Sequence, residues 1–225
     1  MEIHDNFRVH FSVDDVGSSF RWLYTHNAKS VFDIPMFKIL KSLHENYGIK
    51  CSLYIFEPTD FFWFSERFPQ FKQELLSNTS WLHFGYHGNK IQFRKDFAYK
   101  SGYFLFEYAC RKLGVEMTDT IRLHNWYATV EQKQFLFDKG IRTLLYPDDN
   151  CLKYDESNCF IEQNLIHRRT DVRIENLKEI TCSSLLIGKQ KYIVVFTHEG
   201  CFETSKDKIE TALRLYSENE YQFIF

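Results

Sequence analysis

Two adjacent carboxylates, Asp14 and Asp15, follow a short run of alternating apolar residues near the start of the chain. Like charges held this close raise the pKa of one carboxyl group unless a cation lies between them. One carboxylate can therefore bind a divalent metal ion while its neighbour serves as general base for a water molecule. Taken alone, the pair is equally typical of a helix cap or a loop turn. Its chemistry depends on what the fold brings beside it.

Four other strand-like segments also end in ionisable side chains. In chain order these ends carry His87, then Arg122 and His124, then Asp148 and Asp149, then His198 and Glu199. In α/β barrels, catalytic and binding groups gather at the carboxyl ends of the parallel strands. Five such ends with complementary chemistry therefore predict a single site.

The elements that would position these groups alternate between strand-like and helix-like runs. Predicted strands cover 7–13, 50–56, 81–86, 118–122, 141–145, 164–174, 192–197 and 221–225. Predicted helical regions cover 34–47, 61–76, 97–113, 129–139 and 206–217. Repeated strand–helix units imply parallel strands with right-handed crossovers. With about seven such strands, the pattern favours a closed or partly closed α/β barrel over an open sheet.

Composition excludes several classes of function. The 225 residues contain no repeat and no Pro/Gly/Ser linker, so we expect one domain over residues 1–225. The formal net charge is −2 with no basic stripe, which argues against a nucleic-acid partner. No apolar stretch approaches the roughly 20 residues that span a bilayer, which argues against a membrane partner. Without a signal-like N-terminus, we expect a cytoplasmic protein whose six cysteines are reduced.

In chain order, these segments resemble the motifs of the polysaccharide deacetylase family, the NodB-type, chitooligosaccharide-deacetylase-like carbohydrate esterases. S-V-D-D-V at 12–16 is similar to the family's T-F-D-D-G motif, although Val16 replaces its glycine. H-F-G-Y-H-G at 83–88 looks like the strand end that carries the first metal histidine. R-L-H at 122–124 resembles the family's third motif. L-Y-P-D-D at 145–149 resembles the fourth, and F-T-H-E at 196–199 the fifth.

This resemblance implies a distorted (β/α) barrel, related to the TIM barrel, and a set of residue roles. Asp14 would be the catalytic base and Asp15 a metal ligand, with His87 as the first metal histidine. Arg122 would orient the base.

The catalytic acid implied by the resemblance is His198, supported by Asp148. The pair Asp148 and Asp149 could also bind the metal ion instead, and that alternative stays open.

One departure from the family concerns its second metal histidine. The family reads H-x-x-x-H, but four residues after His87 stands Ile91, which cannot bind a metal ion. His83 stands four residues before His87, and along one strand that separation is roughly 13 Å. His124 on the next strand is a more plausible third ligand. We therefore predict a site of Asp15, His87 and His124 that holds a divalent ion, with zinc expected; the alternative is a weakened site without metal.

These features predict a metal-dependent hydrolase that removes an N-acetyl or related amide-linked acyl group from a sugar-like substrate. The predicted substrate-binding residues are Trp126, Asp149, Asp171, Arg173 and Glu199. Two alternatives remain: a non-catalytic saccharide-binding protein on the same scaffold, and another metal-dependent hydrolase such as a phosphoesterase.

Overall fold

The computed structural model describes residues 7–88, 96–124, 128–146, 154–155 and 158–225; the side chains of residues 96 and 97 are not described. Its strands are β1 (Arg8–Val16), β2 (Cys51–Phe56), β3 (Leu82–Gly88), β4 (Thr120–Arg122), β5 (Thr143–Tyr146), β6 (Cys159–Glu162), β7 (Leu165–Arg169), β8 (Val172–Arg173), β9 (Tyr192–His198) and β10 (Gln222–Ile224). Its α-helices are α1 (Ser18–Trp22), α2 (Pro35–Tyr47), α3 (Pro58–Arg67), α4 (Lys72–Leu76), α5 (Asp96–Leu113), α6 (Val130–Asp138), α7 (Glu199–Phe202) and α8 (Lys206–Glu218).

The strands form two sheets that approach each other along two seams. The larger sheet has the order β3-β2-β1-β9-β8, with β10 beside the start of β1, and the smaller has the order β4-β5-β7-β6. Among the described strands, every pairing is parallel except that of β6 with β7. A single bridge between Phe84 and Met117 joins β3 to the segment before β4. The fold is the predicted α/β architecture, a distorted (β/α) barrel with a mostly parallel sheet.

The second seam lies within 164–174, the segment that was predicted to hold a single strand. The chain instead forms β7 in one sheet and β8 in the other. The amide of Thr170 donates to the Tyr146 carbonyl (2.8 Å), whereas the amide of Asp171 donates to the Val194 carbonyl (2.9 Å). The backbone therefore changes its pairing partner between two consecutive residues, which a period-two sequence pattern does not reveal.

The predicted helical region 61–76 is also divided. Helix α3 ends before Phe68, a 3₁₀ turn covers Pro69–Phe71, and α4 follows. Proline lacks an amide hydrogen and disfavours helical geometry in the residue before it, so the helix cannot run through this point. Strand β6 and the short helices α1 and α7 were not predicted. No helix within the described ranges is long and apolar enough to span a bilayer.

The barrel interior is unusually polar near β1. His10 and Tyr54 are fully buried, and the His10 Nε2 lies 2.9 Å from the Tyr54 hydroxyl. That hydroxyl donates to the Thr120 carbonyl of β4 at 3.0 Å. Tyr54 crosses β3 at Gly85, where a Cβ atom would lie only 2.5 Å from the tyrosine ring. Gly85 therefore allows Tyr54 of β2 to connect the two sheets.

Candidate active site

The carboxyl ends of β1, β3, β4 and β9 meet at one mouth of the barrel, together with the residues that follow β8. Asp14 lies directly opposite His198 in the parallel ladder of β1 and β9. Side chains at paired positions of neighbouring strands point to the same face. The two proton-transfer groups predicted from the sequence are therefore neighbours across adjacent strands.

Asp14 and Arg122 form a buried ion pair beneath this mouth. The Arg122 Nη1 donates to Asp14 Oδ2 at 2.9 Å, and each residue is only 1% exposed. The Arg122 Nη2 donates to the Thr170 hydroxyl (3.1 Å), and the guanidinium carbon lies 3.9 Å from the centre of the Phe196 ring. The second carboxylate oxygen of Asp14, Oδ1, has no hydrogen-bond partner among the described residues. A buried acceptor without a donor is unusual in a protein interior and is typical of a functional group.

Asp15, His87 and His124 form a cluster next to this pair. Asp15 Oδ1 lies 3.1 Å from His87 Nε2 and 3.4 Å from His124 Nδ1. One ligand atom from each of the three residues lies within 4.8 Å of the others. Asp15 has a backbone φ of 59°, a left-handed conformation that is uncommon outside glycine and occurs often at functional sites. Because of this turn, the carboxylate of Asp14 faces Arg122 while that of Asp15 faces the two histidines.

The hydrogen bonds around His87 test whether a cation fits this cluster. His87 Nδ1 donates to the main-chain carbonyl of Arg122, which leaves a lone pair on Nε2 in the neutral ring. That lone pair faces the Asp15 carboxylate, so two acceptors would repel unless a proton or a metal ion lies between them. Burial raises the pKa of Asp15, but hydrogen bonds from His124 and His87 lower it well below its usual range. An ionised carboxylate and two imidazoles suit a divalent ion such as zinc.

His198 bonds to a carboxylate that the sequence analysis did not select. Its Nδ1 lies 2.6 Å from Glu175 Oε1, and the Glu175 side chain is only 6% exposed. Burial raises the pKa of Glu175, but hydrogen bonds from His198, its own backbone and Arg173 lower the pKa to about 2. Glu175 follows the end of β8 by two residues, so its position at a strand end could have indicated this role. The short β8 and the break within 164–174 concealed that signal.

Glu199 and Asp171, both predicted to bind substrate, each bond to backbone amides in the structure. The Glu199 carboxylate accepts hydrogen bonds from the amides of Gly17, Ser18 and Ser19 and from the Ser18 hydroxyl, at 2.6–3.1 Å. It therefore binds the beginning of α1. Asp171 Oδ2 accepts from the Val194 amide (2.8 Å), four residues before His198 along β9. Both carboxylates hold backbone segments together.

The remaining predicted residues divide into two groups. Arg173 lies at the mouth, where its Nε donates to Glu175 Oε1 at 2.8 Å. Trp126, Asp148 and Asp149 lie outside the described residues, so their predicted roles stay predictions.

His83 stands at the opposite end of β3 from His87. Its Nε2 lies 3.0 Å from the Thr79 carbonyl, and its ring stacks on Phe225.

Solved structures of similar architecture identify the fold. No protein-family model matches the chain, and no curated protein sequence matches it significantly. A solved peptidoglycan N-acetylglucosamine deacetylase is similar over 96% of this chain and 85% of its own, with a TM-score of 0.57 and 14% identity. A family 4 carbohydrate esterase from Streptomyces lividans, solved with acetate, is similar over 95% and 90%, with a TM-score of 0.55 and 10% identity. The chain has the polysaccharide deacetylase fold.

Identities of 14% and 10% mean that the similarity to these deacetylases concerns the fold. Within this polysaccharide deacetylase fold, the mouth of the barrel brings together an ion-paired aspartate, a cluster of one aspartate and two histidines, and a histidine–glutamate pair.

Proposed function

We propose that this chain is a metal-dependent hydrolase that removes an acetyl or related acyl group from an amide nitrogen of a sugar-like substrate. One observation carries the proposal: the buried Asp14–Arg122 pair, the Asp15/His87/His124 cluster and the His198–Glu175 pair share one mouth of a polysaccharide deacetylase fold.

Asp15, His87 and His124 would hold the divalent ion. Three protein ligands with open positions are the usual arrangement at catalytic zinc sites. When bound, the ion would polarise the acyl carbonyl and make an attacking water molecule more acidic. The Nδ1–H group of His87 donates to the Arg122 carbonyl. This hydrogen bond fixes the orientation of the ring and keeps Nε2 directed at Asp15 and His124.

Asp14 would act as general base. Its Oδ1 takes one proton from water as the water oxygen bonds to the acyl carbon. Arg122, held between Thr170 and the Phe196 ring, pairs with the Asp14 carboxylate and fixes its orientation.

His198 would act as general acid on the other side of the scissile bond. It gives its proton to the amide nitrogen as the carbon–nitrogen bond breaks, which releases an amine and a carboxylic acid that then ionises in solution. Glu175, ionised because its pKa is lowered to about 2, orients the imidazole and stabilises its protonated form.

The activity is tested by acetate release from a panel of N-acetylated saccharides, with Zn²⁺ or Co²⁺ supplied. We expect release by the wild-type protein, and a loss of about 100-fold or more in Asp14→Asn, which removes the base. Saccharide binding without any acetate release would favour the non-catalytic alternative.

The metal ligands are tested independently by calorimetric titration of the purified protein with Zn²⁺. We expect His124→Ala to weaken the binding of Zn²⁺ at least 100-fold because one of three ligands is lost. His83→Ala is the matched control, since His83 lies at the other end of β3 and should leave the affinity unchanged. Equal loss in both variants would contradict the proposed ligand set.

A further inference from the structure

Part of the Arg173 guanidinium group lies at the barrel mouth with no protein partner in the described part of the chain. Its Nε–H donates to Glu175 Oε1 at 2.8 Å, and its side chain is 40% exposed. Among the described residues, no hydrogen bond or ion pair engages its two terminal nitrogens. These nitrogens carry N–H groups in the fork geometry that binds a carboxylate or phosphate through two parallel hydrogen bonds.

The position of this group relative to His198 is fixed by a shared partner. Arg173 Nε and His198 Nδ1 bond to the same oxygen of Glu175, at 2.8 and 2.6 Å, so they are no farther apart than the sum of these distances. Phe196 lies beneath both: its ring centre is 5.8 Å from the Arg173 guanidinium carbon and 5.2 Å from the His198 ring. The unpaired fork is therefore next to the proposed general acid.

The local charges favour an anion at this place. When His198 is protonated, two cationic side chains share the single negative charge of Glu175, which leaves one positive charge uncompensated within this group of three. Arg122 contributes no net charge here because its Nη1 is paired with Asp14 Oδ2 at 2.9 Å. The Asp15 carboxylate also interacts with His198, but His87 and His124 lie against it. An anionic group of a substrate would therefore balance the positive charge beside Glu175.

We propose that Arg173 is an anion-binding residue and that the preferred substrate carries a carboxylate or phosphate group close to the amide that is hydrolysed. This inference rests on the proposed function, because it names the substrate class of the same site. Glu175 fixes the Nε edge of the guanidinium group, and the terminal nitrogens bind the anion.

The test compares three probes: N-acetylglucosamine, its 1-phosphate and its 3-O-lactyl ether. The last two carry a phosphate and a carboxylate, respectively, on the ring carbons next to the one that bears the amide. Acetate release and calorimetric binding are measured for the Zn²⁺-loaded wild type and for Arg173→Gln. We expect the wild type to prefer at least one anionic probe by tenfold or more, and this preference to fall at least tenfold in Arg173→Gln. The phosphate and carboxylate probes distinguish the two sources of the anion.

The matched control is Arg142→Gln. Arg142 precedes β5 at the opposite end of the barrel, where its Nη1 donates to the Phe137 and Ile141 carbonyls. This variant should keep the wild-type preference.

The outcomes separate the two proposals. If no probe releases acetate but an anionic probe binds through Arg173, the proposed function fails and the subsite stands. Acetate release with no preference for anionic probes, or a preference unchanged in Arg173→Gln, would overturn the subsite alone. The absence of binding of both anionic probes to the wild type would overturn it as well.

Discussion

Glu175 shows how neighbouring residues set the charge of one side chain. Burial alone would favour its neutral form, yet His198 and Arg173 donate hydrogen bonds to it and lower its pKa from 4.5 to about 2. A carboxyl group whose pKa is lower in the folded state stabilises the protein above its unfolded pKa. That stabilisation is lost as the pH falls toward the folded pKa.

We therefore expect Glu175 to make stability depend on acid pH. The lowering from 4.5 to about 2 corresponds to about 3 kcal/mol, of which about 2 kcal/mol is lost by pH 3. Urea unfolding at pH 5.5 and pH 3 should show that the wild type loses about 2 kcal/mol more than Glu175→Gln. Parallel pH dependences of the two proteins would contradict the described His198–Glu175–Arg173 contacts.

The pair of Asp14 and Arg122 has a structural consequence besides its proposed catalytic one. Both side chains are almost fully buried, so removing one charge leaves the other uncompensated in the interior. Asp14→Asn should lower the free energy of unfolding by about 3 kcal/mol. The exposed Asp207 provides the control: Asp207→Asn should change it by less than about 0.5 kcal/mol. Chemical denaturation measures the free energy of unfolding of both variants. Similarly small changes in the two would show that Arg122 is solvated.

At the scale of elements, Glu199 connects the two central strands at the mouth. It begins α7 directly after β9, and its carboxylate bonds to the start of α1 just after β1. The segment that it holds follows Asp15, whose left-handed backbone must be maintained by its surroundings. One side chain thus fixes the strand end with the two aspartates relative to the strand end with His198.

Replacing Glu199 by glutamine tests this connection. Glutamine keeps the shape but replaces one acceptor oxygen with a donor that faces other N–H groups. We expect Glu199→Gln to lower the free energy of unfolding by about 1–2 kcal/mol. Glu203, which is exposed one turn later, is the control, and Glu203→Gln should have little effect. Thermal denaturation of the two variants compares them; equal stabilities would mean that Glu199 does not hold α1.

At the scale of the whole molecule, the proposed metal site lies across the seam between the sheets. Asp15 and His87 belong to the larger sheet, whereas His124 follows β4 of the smaller sheet. Within the described ranges, backbone pairing at this seam consists of a single bridge at Phe84 and Met117. A bound ion would therefore add a connection between two sheets that share few hydrogen bonds there.

Metal should accordingly raise the stability of the whole chain. An ion present at 100 times its dissociation constant stabilises the folded state by about 2.7 kcal/mol. For a chain of this size that corresponds to a rise in Tm of roughly 5–10 °C. Calorimetry with Zn²⁺ and then with a chelator should show the rise and its reversal, and His124→Ala should show neither. An equal rise in His124→Ala would place the ion elsewhere.

The sequence alone determined much of the architecture. Alternating strand and helix patterns predicted the parallel α/β barrel, and ionisable residues after successive strands indicated one mouth. This works because the carboxyl ends of parallel strands meet on one side, so position along the chain translates into position in space. Asp14, Asp15, Arg122, His87 and His124 were found in this way, and the structure brings all five together.

Only the tertiary structure decided which carboxylate pairs with His198. Glu175, Glu199 and Asp171 are all acidic residues near strand ends, but Glu175 bonds to His198 while the other two bind backbone amides. The difference arises from the change of pairing partner at Thr170 and Asp171 and from the unpredicted helix α1. Such long-range hydrogen bonds depend on how separate segments are packed, which local sequence patterns do not encode.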